Sequence, residues 1–598
     1  MAKKAKWFLG LASVAVLAAC GNNTDTAKKE ETKSADSNVA ETLAKFPSKI
    51  EHEGTPIKGG VLKYALISDS PIPGVFSGLY QKEASDSEVT AFTEEGLFVA
   101  NSDYKIVEGG LGTLAIDKDA KTITIKVKEN VKWSDGEPFT IDDYIYAFEV
   151  IGHKDYTGER YNDTFKNIVG MDEYHEGKSE TISGIKKNDD HSVTFQLKEV
   201  SPSLNHVGGF WSTPFPKHQL KDIAIKDQSA SDAVRKNPAG LGAFKFKKIV
   251  TGESVELEAN PYYWKGQPNL DGVIIEVVNS TNSPDEFKAG KYDIMSVSTL
   301  TAIYDSFKEL NNATLAGKWR HAYQYIGFKF GKWDAEKETS VITNEKINDK
   351  ALRQAMGYAL NLEEIGQTFY NGLRVRANSM LAPTFGSLHD STLPGFPHDP
   401  EKAKKILDEA GYKDKDGDGL RENPKGEKLT INLAMSAGGD NEPISQAYIK
   451  YWKEVGLDVQ LVGGRLIEGN SFFDRLENDD PEVDLFVAGW SLSGDPNQSH
   501  TWGNTQLNMT RYVSEKNDEL LAKMGSAEAF DSKKQKEIFD AWQKYANEEA
   551  FGLPLFNILS LTAVNTRVKN LDVKDYEGNW GYNLHKIQLT ADAPAASK

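Results

Sequence analysis

The residues with the clearest potential for chemistry are three aspartates in a short glycine-containing run. Asp414, Asp416 and Asp418 precede Gly419, and acids at positions one, three and five with glycine at six match the start of an EF-hand calcium loop. The twelfth position of such a loop normally carries a glutamate, whereas Lys425 stands there. The flanks predict a helix followed by a strand instead of two helices. We therefore favour an Asp/Gly turn, and we predict no bound metal and no cofactor.

Motifs of familiar enzymes and nucleotide-binding proteins do not occur in the sequence. It contains no GxSxG nucleophile elbow, no GxxxxGK[ST] phosphate loop and no HExxH zinc motif. The 11 histidines are scattered, and no two of them have the four-residue spacing that places two metal ligands on one helix face. Serine, aspartate and histidine are plentiful, so a catalytic triad assembled in space stays open as an alternative.

The charge and the cysteine content exclude several classes of protein. The chain of 598 residues carries 88 acidic and 70 basic side chains, a formal charge of −18, which argues against a nucleic-acid partner. Its length is about four times the common size of one domain, so several domains are expected. Cys20 is the only cysteine, which excludes an internal disulfide framework and cysteine-rich metal sites.

The first twenty residues have the order of an export signal. Three lysines precede an apolar stretch at residues 7–17, which is too short to span a bilayer as a mature helix. Leu17-Ala18-Ala19-Cys20-Gly21 resembles the lipobox of bacterial lipoproteins, in which the cysteine is acylated after export. We expect a signal peptide at 1–19 and a lipid-bearing Cys20 with a disordered tether at 20–54. The expected location is the outer face of the cell membrane of a Gram-positive bacterium.

The remainder of the chain predicts alternating strands and helices, the pattern of mixed α/β domains. Period-two alternation or continuous apolar runs predict strands at 61–66, 122–127, 193–197, 254–257, 273–278, 429–433 and 459–462. Apolar residues at helical spacing, with glycine at two of the ends, predict helices at 142–150, 351–370, 400–410 and 445–455.

Six runs, in order along the chain, carry a resemblance to a known family. They are residues 123–148, with the core KWSDGEPFT at 132–140, and residues 237–264, 287–294, 348–358, 399–420 and 483–490. Together they resemble the extracytoplasmic solute-binding proteins of peptide ABC transporters, the oligopeptide-binding lipoproteins of family 5. Leu241 and Ala243 replace the threonine and proline that are commoner in the second run.

This resemblance implies an α/β fold of the two-lobed periplasmic-binding-protein type, with an additional third α/β domain and a ligand cleft between the lobes. By matching motifs, lobe I collects residues 55–94, 216–319 and 558–598. The additional domain takes 95–215, and lobe II takes 320–557.

The function that the resemblance implies is capture of oligopeptides in the cleft and delivery to an ABC permease, whose ATPase subunits drive import. The protein would act as a monomer, would be no enzyme and would bind no nucleic acid. Three alternatives stay open: the same fold binding an oligosaccharide, a metal chelate or haem; a surface peptide-signal receptor, adhesin or chaperone-like protein; and a surface hydrolase.

The resemblance also places candidate ligand-binding residues. In the family the segment after the Gly-Trp pair lines the cleft, which here gives Trp490, Ser491, Ser493 and Asp495. Weaker candidates are Arg465 and Asn470 after the 459–462 strand, Asp69 and Ser70 after the first strand, and Tyr161, which could stack on a ligand from the additional domain.

The residues that grip peptide termini in relatives differ here. Ser493 stands where relatives that bind the peptide amino terminus have an aspartate, and Val487 stands where relatives that bind the carboxylate of the shortest ligands often have an arginine. The hypothesis is therefore a binder of longer peptides whose ends need not be clamped.

Overall fold

The computed structural model of the protein describes residues 35–574 and 583–598. The strands are, in chain order, β1 (Lys49–Glu51), β2 (Val61–Ile67), β3 (Val99–Ala100), β4 (Ile106–Val107), β5 (Gly112–Asp117), β6 (Thr122–Val127), β7 (Ile185–Asp189), β8 (Ser192–Gln196), β9 (Phe244–Val250), β10 (Ser254–Ala259), β11 (Gly272–Val278), β12 (Ile294–Val297), β13 (Ala313–Phe328), β14 (Gly331–Asp334), β15 (Thr339–Ile342), β16 (Arg374–Arg376), β17 (Thr430–Ala434), β18 (Asp458–Leu461), β19 (Leu485–Ser491), β20 (Gly552–Asn565), β21 (Val568–Asp572) and β22 (Gln588–Leu589).

The α-helices lie mostly between these strands. They are α1 (Ala35–Leu43), α2 (Ala84–Thr90), α3 (Ile141–Gly152), α4 (Asp163–Lys166), α5 (Met171–His175), α6 (Lys217–Leu220), α7 (Ile225–Gln228), α8 (Asp232–Arg235), α9 (Ser283–Lys288), α10 (Thr301–Lys308), α11 (Lys350–Ala359), α12 (Leu362–Tyr370), α13 (Pro400–Glu409), α14 (Asn441–Glu454), α15 (Gly469–Glu477), α16 (Ser499–Trp502), α17 (Glu515–Met524) and α18 (Ser532–Glu549). None of these described helices combines the length and the apolarity that crossing a bilayer would require.

Two long antiparallel strands, β13 and β20, run through the middle of the largest sheet, and we call them the crossing strands. The sheet has the order β18-β17-β19-β13-β20-β12-β2-β11-β10-β9, and β16 also pairs with β20. The crossing strands thus join two halves: the β19 half, with β17 and β18, and the β2 half, with β9 to β12. In each half the inner strands run parallel, β2 with β11 and β17 with β18, and this is the α/β organisation that the sequence predicts.

The crossing strands change register near their middle. Trp319 pairs with Leu559 and Tyr323 pairs with Asn557, so β13 has two extra residues at this point. Such bulges bend and twist a strand. The boundaries predicted at 319/320 and 557/558 lie within this stretch, and the assignment of the chain to lobes stays a prediction.

A separate sheet with the order β5-β6-β8-β7 forms what we call the small-sheet region. The KWSDGEPFT run leads into α3 there, which begins with a capping box between Thr140 and Asp143. The indole of Trp133, which is 2% exposed, donates to Asp143 at 3.2 Å. The role of this run is therefore structural. The apolar core of the region also takes in Leu79 and Val234, which lie beyond the predicted limits of 95–215.

The prediction of a disordered tether over residues 20–54 is wrong for its second part. Residues 35–43 form α1, and β1 pairs with β21. Val39, Phe46 and Ile50 are 9%, 9% and 2% exposed, because these few apolar side chains, seven and four residues apart, bury against the folded body. His52 is also fixed, since its ring nitrogens lie 2.8 Å from the Val568 carbonyl oxygen and 2.9 Å from the Thr314 hydroxyl. Residues 20–34 of the predicted tether, including Cys20, and the signal peptide lie outside the described residues.

The single helix predicted over 351–370 is two helices, α11 and α12. Leu360 between them is extended, at φ −79° and ψ 128°. The side chain of Asn361 then accepts a hydrogen bond from the Glu364 backbone N–H at 3.1 Å and starts α12. An asparagine offers this local alternative to a continuous helix, and the apolar periodicity concealed it.

Candidate ligand-binding cleft

One edge of β19 carries backbone groups that the sheet leaves unpaired. The strand pairs with β13 from Leu485 to Ser491, but it pairs with β17 only at Leu485 and Phe486. Beyond that point no strand among the described residues lies along its other side. Edge strands with unpaired N–H and C=O groups are templates for another extended chain.

The direction of the backbone groups follows from the pairing with β13. The Leu492 N–H donates to the His321 carbonyl oxygen at 2.9 Å, so the even-numbered residues of β19 face β13. Since successive residues of a strand face opposite ways, the N–H and C=O groups of Gly489 and Ser491 face outward. We call these groups the open edge. Gly489 and Ser491 are both exposed.

Glycine at position 489 keeps this edge accessible. A Cβ built on Gly489 would lie 3.0 Å from the Tyr323 carbonyl oxygen and 3.6 Å from the Gln324 Cγ. Any larger residue would crowd the neighbouring strand and place a side chain beside Gln324. This close approach of β13 explains why a glycine, and no larger residue, stands at position 489.

The loop after β19 packs against the small-sheet region. A Cβ on Gly208 would lie 3.2 Å from the Ser493 Cβ and 3.3 Å from the Gly494 N. A Cβ on Gly494 would collide with the carbonyl oxygen of Val207. Glycines on both sides thus permit close backbone approach. This contact joins the small-sheet region to the loop that follows the open edge.

His321, on β13, joins three parts of the molecule. Its Nε2 lies 2.8 Å from the Ser493 carbonyl oxygen and its Nδ1 lies 2.6 Å from the Thr384 hydroxyl. Because a carbonyl oxygen only accepts, Nε2 carries the hydrogen and Nδ1 accepts from Thr384. Tyr104 stacks on the imidazole with ring centroids 4.2 Å apart, and Phe385 meets it edge-on at 4.7 Å. Burial lowers the pKa of His321, which keeps the ring neutral.

A cavity of about 250 Å³ lies where the small-sheet region meets the β19 half. His206 and Lys105 line it from one side, and Phe530 and Gln535 line it from the other. His206 is 1% exposed, and burial lowers its pKa to about 4. Its Nε2 has no hydrogen-bond partner among the described residues.

Four of the predicted site residues are brought together by β19 and its loop. Ser491 contributes to the open edge, and Trp490 is partly buried and packs against the apolar core of the β19 half. Ser493 offers its carbonyl oxygen to His321. Asp495 accepts from the Asn497 backbone N–H at 3.0 Å and from the Ser203 hydroxyl. Burial still raises the pKa of Asp495, so this carboxylate acts within the loop and its contact with the small-sheet region.

The remaining predicted residues are spread over other elements. Arg465 and Asn470 are exposed and follow β18, which β17 separates from β19. Asp69, after β2, accepts from the Asn279 amide at 2.8 Å and from the Ser280 backbone N–H at 3.0 Å. Ser70 hydrogen-bonds to the hydroxyl of Ser68. The oxygens of Asp69 are thus engaged in holding the loop after β11. Ligand contact by these four residues stays a prediction.

Tyr161 lies in the small-sheet region, and its ring faces a neighbour of the same region. It stacks on His175 with ring centroids 3.9 Å apart and an angle of 12°. Burial, followed by the charge of Asp172, raises the pKa of the phenol to about 12. These contacts are those of a packing residue, and its predicted stacking on a ligand stays a prediction.

The Asp/Gly run forms a turn closed by its own hydrogen bonds. Asp414 accepts from the backbone N–H groups of Gly417 and Gly419 at 2.7 and 3.0 Å. Lys428 places its ammonium 3.1 Å from Asp416 and 3.0 Å from Asp418. Carboxylate oxygens of Asp414, Asp416 and Glu422 lie within 4.8 Å of one another. The ammonium group of Lys428 already neutralises part of this cluster. The Asp/Gly turn accounts for the geometry.

Sequence reasoning missed several residues of this cleft: Tyr104, His206, Gly208, His321, Gln324, Arg374 and Thr384. One signal was present for two of them. His321 and Gln324, together with Arg320, are polar residues among the apolar and aromatic ones at 319–325, which is unusual within a central strand. The others come from distant parts of the chain and carry no local signature.

Two half-sheets joined by two crossing strands, with a third region packed beside an open strand edge, define a class of protein: an extracytoplasmic solute-binding protein. The family model of the bacterial extracellular solute-binding proteins, family 5, matches residues 102–510. This is more than half of the chain, and the chain belongs to this family. The family and the fold class predicted from the sequence are thereby confirmed.

Individual members of this family are similar to this chain over most of its length. The oligopeptide-binding protein OppA of Lactococcus lactis subsp. cremoris (strain SK11) is 33% identical over 522 residues, which cover 85% of this chain and 86% of the relative. A solved structure of lactococcal OppA with an endogenous peptide, in the closed conformation, matches at a TM-score of 0.76 and 32% identity, covering 89% of this chain and all of that one. AppA from Bacillus subtilis in complex with a nonapeptide matches at 0.67 and 26%, covering 90% and 100%.

Proposed function

We propose that this protein captures extended oligopeptides along the open edge of β19 and delivers them to an ABC permease for import. The observation that carries the proposal is the outward-facing backbone of Gly489 and Ser491. Main-chain hydrogen bonds to such an edge fix a peptide without regard to its side chains. The edge thus suits a ligand class that is uniform in backbone and varied in sequence.

The similar proteins support this ligand class. The Lactococcus relatives are oligopeptide-binding proteins, and the two solved structures hold an endogenous peptide and a nonapeptide. Their identity to this chain extends over most of its length. An oligosaccharide, a metal chelate or haem finds no comparable support in the geometry of the open edge, which offers unpaired backbone donors and acceptors.

Closure of the cleft follows from the crossing strands. Their register change near Trp319 and Tyr323 is where the two halves would rotate, and His321 lies within it. The contacts of His321 with Ser493 and Tyr104 hold the small-sheet region against the loop after β19. A peptide that touches both sides would favour a closed arrangement by population shift.

The proposal includes an anchor and partners. A lipid on Cys20 would hold the protein at the extracytoplasmic face of the membrane, with residues 20–34 as the tether, because α1 already packs on the folded body. The monomer would present its closed form to the permease, and the ATPase subunits of that transporter, instead of this chain, would perform the chemistry.

The test begins with the purified full chain. Denaturing it and analysing what is released by mass spectrometry should yield a heterogeneous set of peptides, because backbone recognition tolerates many sequences. Release of only a saccharide or a chelate would overturn the proposed ligand class. If the chain is empty, titration with a pool of synthetic octapeptides should raise its melting temperature, and no shift with any of them would contradict the proposal.

A further inference from the structure

A second feature of the cleft is an arginine that has no acidic partner among the described residues. Arg374, on β16, donates from Nη1 to the Gln324 Oε1 at 2.8 Å. Its Nε is buried and has no hydrogen-bond partner in the described part of the chain. A guanidinium has five N–H donors, so most of its hydrogen-bonding capacity is unused.

Arg376, two residues further along the same strand, is an arginine whose N–H donors have partners within the protein. Its Nε donates to Glu363 at 2.7 Å and its Nη1 donates to the Pro394 carbonyl oxygen at 3.0 Å. Both arginines pair with β20 and lie on one face of the sheet. Arg374 has a comparable position without the carboxylate, although acids outnumber bases in this chain by 88 to 70.

The surroundings of Arg374 hold it in place and make the site positive. The guanidinium carbon lies 3.8 Å from the centroid of the Tyr370 ring, a stacking contact that fixes its plane and leaves its edge for hydrogen bonds. Burial lowers the pKa of Arg374, the phenols of Tyr370 and Tyr448 oppose this shift, and the neighbouring Arg320 adds to it. Asp440 acts on Tyr370, but no carboxylate contributes to the shift at Arg374.

The hydrogen bond to Gln324 connects this site to the open edge. Gln324 is the residue of β13 that lies directly opposite Gly489 in the register with β19. A Cβ at position 489 would lie only 3.6 Å from the Gln324 Cγ. Gln324 therefore connects the guanidinium to Gly489, whose backbone N–H and C=O groups belong to the open edge on the other side of β19.

We propose that Arg374, supported by Gln324 and Tyr370, is a carboxylate-binding subsite of the peptide cleft. The proposal rests on the proposed peptide function and adds a specificity-determining residue to it. The carboxylate is either the carboxyl terminus of the peptide or an acidic side chain. In both cases Arg374 supplies paired N–H donors to two oxygens. A cleft that otherwise recognises only the peptide backbone would thus prefer peptides with a carboxylate at one place.

Calorimetric titration with matched peptides distinguishes the two sources. The probes are alanine–leucine octapeptides with a free or an amidated carboxyl terminus, and a series with a single glutamate or glutamine at each position in turn. The wild-type chain should bind one free acid or one glutamate peptide at least tenfold more tightly than its uncharged counterpart. Loss on amidation identifies the terminus, and loss on the change from glutamate to glutamine identifies a side chain.

The variants assign this preference to Arg374. In Arg374→Gln the same pair of peptides should differ by less than threefold, and Arg374→Lys should retain part of the preference. Arg475→Gln, which removes an exposed arginine paired with Asp480 and Glu482, should behave as the wild type. Differences below threefold for every pair in the wild type, or a preference that persists in Arg374→Gln, would overturn the subsite. If no octapeptide binds the wild type, the result contradicts the proposed peptide-binding function, and the subsite falls with that function.

Discussion

Two surfaces of the β19 half face the rest of the molecule, and they differ in whether their polar groups are hydrogen-bonded within the protein. On the docking surface, formed by His321, Thr384 and the loop after β19, the Ser493 carbonyl, the imidazole and the Asp495 carboxylate all have partners. On the cleft surface, formed by the open edge, Gln324 and Arg374, the backbone of Gly489 and Ser491 and the Nε of Arg374 lack them among the described residues. The named groups of the first surface are hydrogen-bonded within the protein, and those of the second are available to the proposed ligand.

The same distinction explains why some ligand-binding residues predicted from the sequence lie in the proposed site and others do not. Buried polar groups are normally hydrogen-bonded, so a group left unpaired in a well-packed protein calls for an explanation. Asp69 is an attractive candidate by type, yet its oxygens hold the loop after β11. Gly489 has no side chain at all, yet its backbone is part of the proposed site. We therefore expect changes on the docking surface to alter stability and closure, and changes on the cleft surface to alter peptide affinity.

The largest effect should come from acidifying the cavity that His206 lines, where the small-sheet region meets the β19 half. Burial holds the pKa of His206 at about 4, with Lys105 lowering and Asp103 raising it, whereas an unfolded histidine titrates near pH 6.5. The unfolded state therefore binds more protons between these values, so the stabilisation is complete above pH 6.5 and is lost as the pH falls towards 4. From pH 7 to 5 the loss should be about 2 kcal/mol, measured by denaturant unfolding.

The variant His206→Gln isolates this contribution from other groups. Burial raises the pKa of Glu94 to about 7, and this carboxyl changes stability in the opposite direction, so the wild type alone gives a mixed curve. The difference in unfolding free energy between wild type and variant should shrink as the pH falls. A constant difference across the range would show that His206 is not a neutral, buried group in this cavity.

The next effect concerns the open edge. Ser491→Pro removes an outward N–H without removing a bond to β13, and proline is tolerated at strand edges. One lost hydrogen bond of about 1.4 kcal/mol corresponds to a tenfold weaker affinity for an octapeptide, measured by calorimetry. Ser491→Ala keeps the N–H and should bind within twofold of the wild type. Equal losses in both variants would mean that the hydroxyl, not the backbone, is recognised.

A smaller effect is expected at Asp69. Asp69→Asn weakens the contacts with Asn279 and Ser280 and should lower stability by roughly 1 kcal/mol, seen as a lower urea midpoint. Peptide affinity should change by less than threefold, because these oxygens are already engaged within the protein. A tenfold loss of affinity with unchanged stability would place Asp69 in the ligand site and break the distinction between the two surfaces.

The smallest effect should come from calcium. Because Lys428 already neutralises Asp416 and Asp418, millimolar calcium or its removal with a chelator should leave the melting temperature unchanged within about 1 °C. The variant Lys428→Ala removes this cation and should increase the response. A large stabilisation of the wild type by calcium would contradict the Asp/Gly turn and restore the metal loop.

The sequence could predict those elements whose cause is local. The strand expected at 122–127 is β6 without any change, because strict alternation matches the two faces of a sheet. The helix expected at 400–410 is α13, which Asp399 caps at its start. The family resemblance is confirmed over residues 102–510, whereas strand β19, which carries the Gly-Trp pair, was not among the predicted strands.

The sequence could not predict features that depend on distant contacts. Val39 and Phe46 order a segment of low hydrophobicity only because the sheet offers them a surface. His321 meets Ser493 across 172 residues of chain. The missing partner of Arg374 is a property of its whole environment, and no pattern in the residues around it reveals that absence.

The most direct test of the account is a methylation scan of the peptide backbone. An octapeptide that binds the full chain is synthesised with one N-methylated amide at each position, and each form is titrated by calorimetry. An extended ligand paired with the open edge directs every second N–H towards Gly489 and Ser491. Affinity should therefore fall at alternate positions along the paired stretch and stay nearly constant between them. Uniform losses, or none, would contradict recognition of the peptide by the edge of β19.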